Sequence, residues 1–189
     1  IGWSQQESSL RPWVLKTPQH MLDLPALLEV FPDARLIFTH RDPQAIVGSA
    51  ASLAWNQTII YADDVDPKTI GREWLRKTDL MVSRMQEVRQ IIPASQAIDV
   101  HFDDMDRDWR TSMKRVYDFL GLDIDPALYG MEKYLDRTAA SKRTPHSYSL
   151  AEFGLSWDEV HECFESYTQA FDVTAKSSSG ESSAVRASS

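Results

Sequence analysis

An α/β fold with parallel strands is what this sequence predicts, on three observations. Short apolar runs rich in strand formers occur at Trp13–Leu15, Leu36–Phe38 and Ala97–Phe102, and all are too short to be helices. Segments with apolar residues at helical spacing separate them, and a parallel crossover needs a connection of that length. Arg41, Asp42 and Pro43 follow the second run after Thr39 and His40. Asp at an N-cap with Pro at the first helical position is a helix start, so this strand hands over to a helix almost at once.

The elements follow in order. Residues 1–12 are polar and aperiodic, a lead-in loop or the end of a preceding helix. The first strand, Trp13–Leu15, ends at Lys16. Met21, Leu22, Leu24, Leu27, Leu28 and Val30 predict a short amphipathic helix, and Asp33 and Ala34 turn the chain into the second strand. From Asp42 a helix carrying Ile46, Val47, Ala50 and Leu53 on its periodic positions runs to about Ala54 or beyond. Tyr61–Lys68 reads as an exposed connection. The clearest long helix follows, with Ile70, Trp74, Met81, Met85, Val88 and Ile92 on one face and Pro93 as its stop. Its Met and Trp stripe reads as core rather than as a cofactor box. Ala97–Phe102 is the third strand and ends in Asp103 and Asp104. Thr111–Leu120 is a helix with Met113, Val116, Tyr117 and Leu120 inward, closed by Gly121. Ser156 and Glu159 form a capping box with Leu155 and Val160 as its staple, and Val160, Phe164, Tyr167 and Phe171 form the buried stripe of the last helix. The Ser-rich stretch from Lys176 is too polar to pack. The expected organisation is one domain over residues 1–173 and a disordered tail over 174–189.

Composition limits the function. The chain of 189 residues is 42% hydrophobic and 25% charged, values of an ordinary globular domain large enough for a core. A net charge of −8 argues against a general nucleic-acid or anionic-membrane binder, which needs a broad basic face. Cys163 is the single cysteine, which excludes an internal disulfide framework and a Cys-rich metal site. The five His residues show no metal-ligand spacing, so no metal is expected. No apolar segment approaches membrane-spanning length and no signal-peptide pattern opens the chain, so a cytoplasmic location is expected. The sequence opens at Ile1 without Met, which raises the expectation of an interior piece of a longer protein.

Chemistry concentrates at strand ends. A helix N-terminus directs unsatisfied N–H groups at whatever sits there, and Arg41 adds a guanidinium fork suited to phosphate oxygens. With Ser49 further along the helix, this is a candidate anion site; alternatively Arg41 pairs with Asp42 or Asp103 and Ser49 faces the core. Lys16 stands at another strand end, where ligands collect in open parallel sheets, or forms a salt bridge with a neighbouring acid. His20 is a candidate base or a hydrogen-bonded structural residue. His40 and His101 lie inside or at the end of strand runs and read as core or rim residues.

Several blocks resemble one family. Lys16 to His20 (Lys-Thr-Pro-Gln-His), Phe31 to Arg35, His40-Arg41-Asp42-Pro43 with Ser49, and His146 to Leu150 followed by Phe153-Gly154-Leu155 together resemble the sulfotransferases, in particular the bacterial-type branch with an Arg-Asp-Pro segment. The similarity runs from about Trp13 to Val173. It implies a P-loop-kinase-like three-layer fold with a parallel sheet and a helical C-terminal part. It also implies transfer of a sulfuryl group from 3′-phosphoadenosine 5′-phosphosulfate (PAPS) to a hydroxyl or amine of a small-molecule or glycan acceptor, with no metal. In that family an Arg and a Ser eight residues later bind the 3′-phosphate, and Arg41 and Ser49 have that spacing. The matching Lys lies near the transferred group, which gives Lys16 its implied role. The base His of one branch lies two residues after that Lys, whereas His20 lies four after Lys16. Phe102 falls where relatives place an aromatic against adenine, or is simply core. Lys142, Arg143 and His146 form a basic loop that by resemblance closes over the nucleotide; a solvated basic turn fits them equally.

One family feature is missing. The 5′-phosphosulfate is cradled by a Gly-containing loop after the family's first strand, and no Gly-rich run precedes Trp13. That strand would sit between Trp13–Leu15 and Leu36–Thr39. The expectation is therefore a C-terminal portion of a sulfotransferase, or a truncated product, with the 3′-phosphate half-site present. Two other classes stay open: a P-loop kinase relative, against which the absent Walker A run counts, and a non-catalytic nucleotide-binding or interaction protein derived from a sulfotransferase.

Overall fold

The computed structural model describes residues 13–140 and 149–174. At its centre two parallel strands, β1 (Leu36–His40) and β2 (Ala97–His101), pair in register from Leu36 opposite Ala97 to His40 opposite His101. The crossover between them holds two helices, α2 (Pro43–Thr58) and α3 (Pro67–Arg89). Ahead of β1 lie a 3₁₀ turn at Pro18–Met21 and α1 (Leu24–Val30). After β2 come α4 (Phe102–Arg107), α5 (Trp109–Leu120), α6 (Asp125–Ala140), α7 (Trp157–Cys163) and α8 (Glu165–Ala170).

Helices cover both faces of the pair. Leu36 and Phe38 pack on a core of Val47 from α2, Met85 from α3, and Val160, Phe164 and Tyr167 from the C-terminal helices. On the opposite face α5 lies against β2, where Val100 is buried. The three-layer α/β arrangement follows. Ile37, on the same face as Val100, is 41% exposed, so that layer covers β2 and leaves the neighbouring part of β1 open.

The helix starts use one device repeatedly. Asp42 caps α2 by accepting from the Gln44 N–H at 3.0 Å, with Pro43 at the first helical position. Asp66 and Pro67 start α3 the same way, and Asp108 caps α5 through the Thr111 N–H. Ser156 accepts from the Glu159 N–H at 3.1 Å, with Leu155 and Val160 buried beside it, as the capping-box reading expects. Gly121 closes α5 in the left-handed region, where a side chain would meet its own backbone.

Three expectations need correction. Trp13–Leu15 is not a strand: it is irregular, with Trp13 75% and Val14 87% exposed. A strand exists only through its ladder, and β1's recorded pairing is with β2, so nothing among the described residues pairs with this segment. The last helix is divided at Phe164, whose N–H is shared between the Val160 and His161 carbonyls. The apolar stripe survives the break, with Val160, Phe164 and Tyr167 all buried. Finally, α6 occupies a stretch to which the sequence reading assigns no element; Tyr129, Tyr134 and Leu135 on it are exposed, so its apolar residues mark no clean buried face. Of the expected tail over 174–189, residues 175–189 lie outside the described residues, as does the basic loop before Ser149.

α3 meets the 3₁₀ turn Ala151–Phe153 at Gly71, where an added Cβ would lie 2.1 Å from the Phe153 carbonyl oxygen. Backbone cannot yield as a flexible side chain does, so Gly71→Ala is expected to destabilise the fold by about 2 kcal/mol or more, read as a lower urea midpoint with unchanged m-value.

Candidate functional site

Because β1 and β2 end level, both strands release their chains at one place. After His40 the chain passes through Arg41 and the cap Asp42 into α2; after His101 it enters α4 at Phe102. Between these two turns lies an open pocket of about 340 Å³. Its floor is made by His40, Arg41, His101 and Phe102, and α4 contributes Asp103, Asp104 and Arg107. A third wall comes from the far end of the chain: Asp172, Val173 and Thr174, just past α8.

The Arg41 guanidinium lies over the Phe102 ring, 4.3 Å from its centroid. A cation held against an aromatic face loses side-chain freedom before any ligand arrives. Arg107 pairs with Asp104 at 3.1 Å, which offsets part of the acidic charge of the wall. The pocket thus presents a cation, an aromatic face and several carboxylates together.

Behind the pocket lies a buried polar cluster. His40 is 2% exposed. Its Nε2 is 3.0 Å from Asp99 Oδ1, its Nδ1 is 3.1 Å from the Tyr167 hydroxyl, and its ring stacks on Phe171 at 4.5 Å. Arg89 of α3 donates to the other Asp99 oxygen at 2.7 Å. Burial lowers the His40 pKa below its ordinary value, and this outweighs the opposing pull of Asp99, so the imidazole is neutral near pH 7. Burial alone would raise the Asp99 pKa, but hydrogen bonds from Arg89 and His40 hold it below the usual range. Burial pushes Tyr167 up to about 12, against a smaller lowering influence of the Arg41 backbone. Cys163, pushed up to about 11 by burial and then by Asp79, is a neutral thiol near pH 7.

Of the residues singled out from sequence, Arg41 and Phe102 come together. Ser49 is half-buried on α2, roughly two turns beyond Arg41, and does not line the pocket. Lys16 is exposed before the 3₁₀ turn; His20 is half-buried within that turn, where its carbonyl accepts from Asp23. Neither lines the pocket, and the reason is the strand that does not form: Trp13–Leu15 would have carried Lys16 to the strand ends. Lys142 and Arg143 lie outside the described residues. Sequence reasoning missed the wall at Asp172–Thr174 and Arg107, and took Tyr167 as apolar core. No local signal marks that wall. Among the described residues no group of three or more His, Cys, Asp or Glu is placed to hold a metal ion. No helix among the described residues is long and apolar enough to cross a membrane.

Residues 2–126 match the family model described as "Sulfotransferase family". The chain belongs to the sulfotransferase family. Solved structures agree. The sulfotransferase STF9 of Mycobacterium avium superposes with a TM-score of 0.76 at 28% identity over 86% of this chain and 42% of its own. The sulfotransferase STF1 of Mycobacterium tuberculosis gives 0.70 at 29% identity, over 82% and 40%. Among curated proteins, the omega-hydroxy-beta-dihydromenaquinone-9 sulfotransferase Stf3 of Mycobacterium bovis is 26% identical over 159 residues, covering 78% of this chain and 39% of that protein. This sulfotransferase chain therefore spans about two fifths of the length of the relatives it matches. The family match stops short of α7 and α8, yet those helices lead to one wall of the pocket.

The buried His40–Asp99 pair sets a pH dependence. A base with a depressed pKa costs the folded state as pH falls below the unfolded value near 6.5, and a carboxylate with a depressed pKa acts in the same direction below about 3.8. Thermal stability is expected to fall between pH 7 and pH 5 by at most about 1.4 kcal/mol per pH unit from His40. His40→Gln should flatten that slope in scanning calorimetry.

Proposed function

We propose that this chain carries the 3′-phosphate half-site of a PAPS-dependent sulfotransferase, with Arg41 as the principal phosphate ligand and Phe102 against the adenosine. The supporting observation is the meeting of Arg41 and Phe102 over one pocket at the strand ends. A nucleotide offers both anionic oxygens and donors, namely an exocyclic amine and ribose hydroxyls. A pocket holding a guanidinium beside carboxylates matches that mixture better than it matches a bare anion.

In the reaction an acceptor oxygen or nitrogen attacks sulfur, the bond from sulfur to the bridging phosphate oxygen breaks, and adenosine 3′,5′-bisphosphate leaves. The protein must align these groups and neutralise charge on the leaving phosphate. On this reading Arg41 and Phe102 anchor the end of the donor remote from sulfur; the supporting role of Ser49 at the 3′-phosphate rests on family resemblance alone, since it does not line the pocket. Lys16 neutralises charge at the transferred group, His20 takes the acceptor proton, and Lys142 and Arg143 close over the nucleotide. Lys16 and His20 act on this reading only if their segment moves toward the pocket, which neither of them lines. The 5′-phosphosulfate loop is not found in this sequence, so the reading gives this chain one half of the donor site. The acceptor is a small molecule or glycan bearing a hydroxyl or amine; one relative is named for a menaquinone derivative.

A second reading, nucleotide binding without transfer, is favoured by one observation: the pocket holds Arg41 and Phe102 but neither Lys16 nor His20. Bisphosphate binding with no turnover of PAPS would select it.

Arg41→Ala is expected to weaken adenosine 3′,5′-bisphosphate binding in calorimetry by about ten-fold or more, since a charge-assisted hydrogen bond is lost. Unchanged affinity would remove the nucleotide from this pocket. Where transfer is measurable, Lys16→Ala is expected to lower kcat while leaving bisphosphate affinity near the unmutated value; equal losses would place Lys16 in ground-state binding.

A further inference from the structure

The Arg41 side chain reaches the pocket, and the residue before it, His40, is gripped from behind. The hydrogen bonds that grip it have determined proton positions. Asp99 is an ionised carboxylate and can only accept. It takes Arg89 on one oxygen at 2.7 Å and His40 Nε2 on the other at 3.0 Å. The single proton of the neutral imidazole therefore sits on Nε2, which leaves Nδ1 as an acceptor. The Tyr167 hydroxyl, 3.1 Å from Nδ1, donates to it. Both ring nitrogens of His40 are thus engaged, which fixes this side chain one residue before Arg41. The chain of donors and acceptors fits one tautomer and one hydroxyl orientation.

The surroundings keep the cluster in that state. Arg89 and Asp99 face His40 from α3 and β2, His101 lies 5.3 Å away between ring centroids, and Tyr167 and Phe171 close the remaining sides from the C-terminal segment. Water has no access to a side chain 2% exposed. Arg41 sits where extended backbone changes to helix, a junction that neither a ladder nor a helical hydrogen bond fixes on its own. A guanidinium several bonds from such a junction is placed well only if the junction is held.

We propose that His40 and Tyr167 are positioning residues which, oriented by Asp99 and Arg89, lock the strand end from which Arg41 leaves and so hold its guanidinium over Phe102 for the nucleotide phosphate. This rests on the nucleotide reading of the pocket. It adds that the last helical segment, outside the matched family region, is part of the binding apparatus.

The test uses the full chain, isotope-labelled, and the variant Tyr167→Phe, which removes one oxygen and keeps the ring. Long-range imidazole nitrogen spectra of the unmutated protein are expected to show the His40 proton on Nε2. In Tyr167→Phe, hydrogen exchange at the Arg41 amide is expected to accelerate about ten-fold while exchange at Met85 in the core stays unchanged, and bisphosphate affinity to fall about five- to ten-fold. A merely structural role would move Met85 with Arg41. A proton on Nδ1, or an unchanged Arg41 exchange rate, would overturn the relay. Bisphosphate affinity unchanged in Tyr167→Phe but lost in Arg41→Ala would overturn the positioning role and leave the nucleotide reading standing. If the unmutated chain does not bind bisphosphate, the nucleotide reading falls, and with it the ligand role proposed for the relay. Should Tyr167→Phe fail to fold, Asp99→Asn replaces it: the amide can donate as well as accept, so the tautomer is no longer fixed and the same Arg41 acceleration is expected.

Discussion

The parallel ladder between β1 and β2 is the constraint from which the rest of the molecule follows. Parallel pairing obliges the chain to return to its starting end before the second strand, and α2 and α3 are that return. Level registration puts His40 beside His101, so the two exits from the sheet open side by side. Each exit continues into a helix with a single residue or none of free loop between strand and cap. A pocket at that place needs no long loop to shape it, and Arg41 and Phe102, which line it, are each one residue past a strand end.

The C-terminal helices make this corner rigid. Tyr167 and Phe171 reach His40 from α8 and the residue after it, and the same segment supplies Val160 and Phe164 to the core beneath β1. A buried polar side chain is stable only when its partners are complete, and His40 has a carboxylate on one nitrogen and a hydroxyl on the other. The same buried surroundings that disfavour a charge on the ring also fix which nitrogen carries the proton. Apolar packing and polar alignment at this point are therefore one arrangement.

How far the sequence revealed all this depends on the range of the interaction. Asp42 with Pro43, Ser156 with Glu159 and Gly121 were legible because a cap is decided by residues within three or four positions. Asp66 with Pro67 carries the same signature as Asp42 with Pro43 and was equally readable. Arg41 and Phe102 were legible as strand-end residues, the one from helix-start chemistry and the other by family resemblance. Trp13–Leu15 misled because apolar composition announces a strand's wish for a partner and not the partner's presence. The contact of His40 with Tyr167, across 127 residues, leaves no trace in either local pattern; a Tyr on an apolar stripe reads as core, as it partly is.

One consequence concerns the order in which the protein is made. β1, α2 and β2 leave the ribosome well before residues 160–173, yet the histidine at their junction is sealed by those late residues. Until they emerge, the nascent sheet holds an uncovered imidazole and an uncovered apolar face. Nascent chains cut short anywhere ahead of Tyr167 would leave that seam unclosed, a state suited to recognition by chaperones and proteases rather than to binding a ligand.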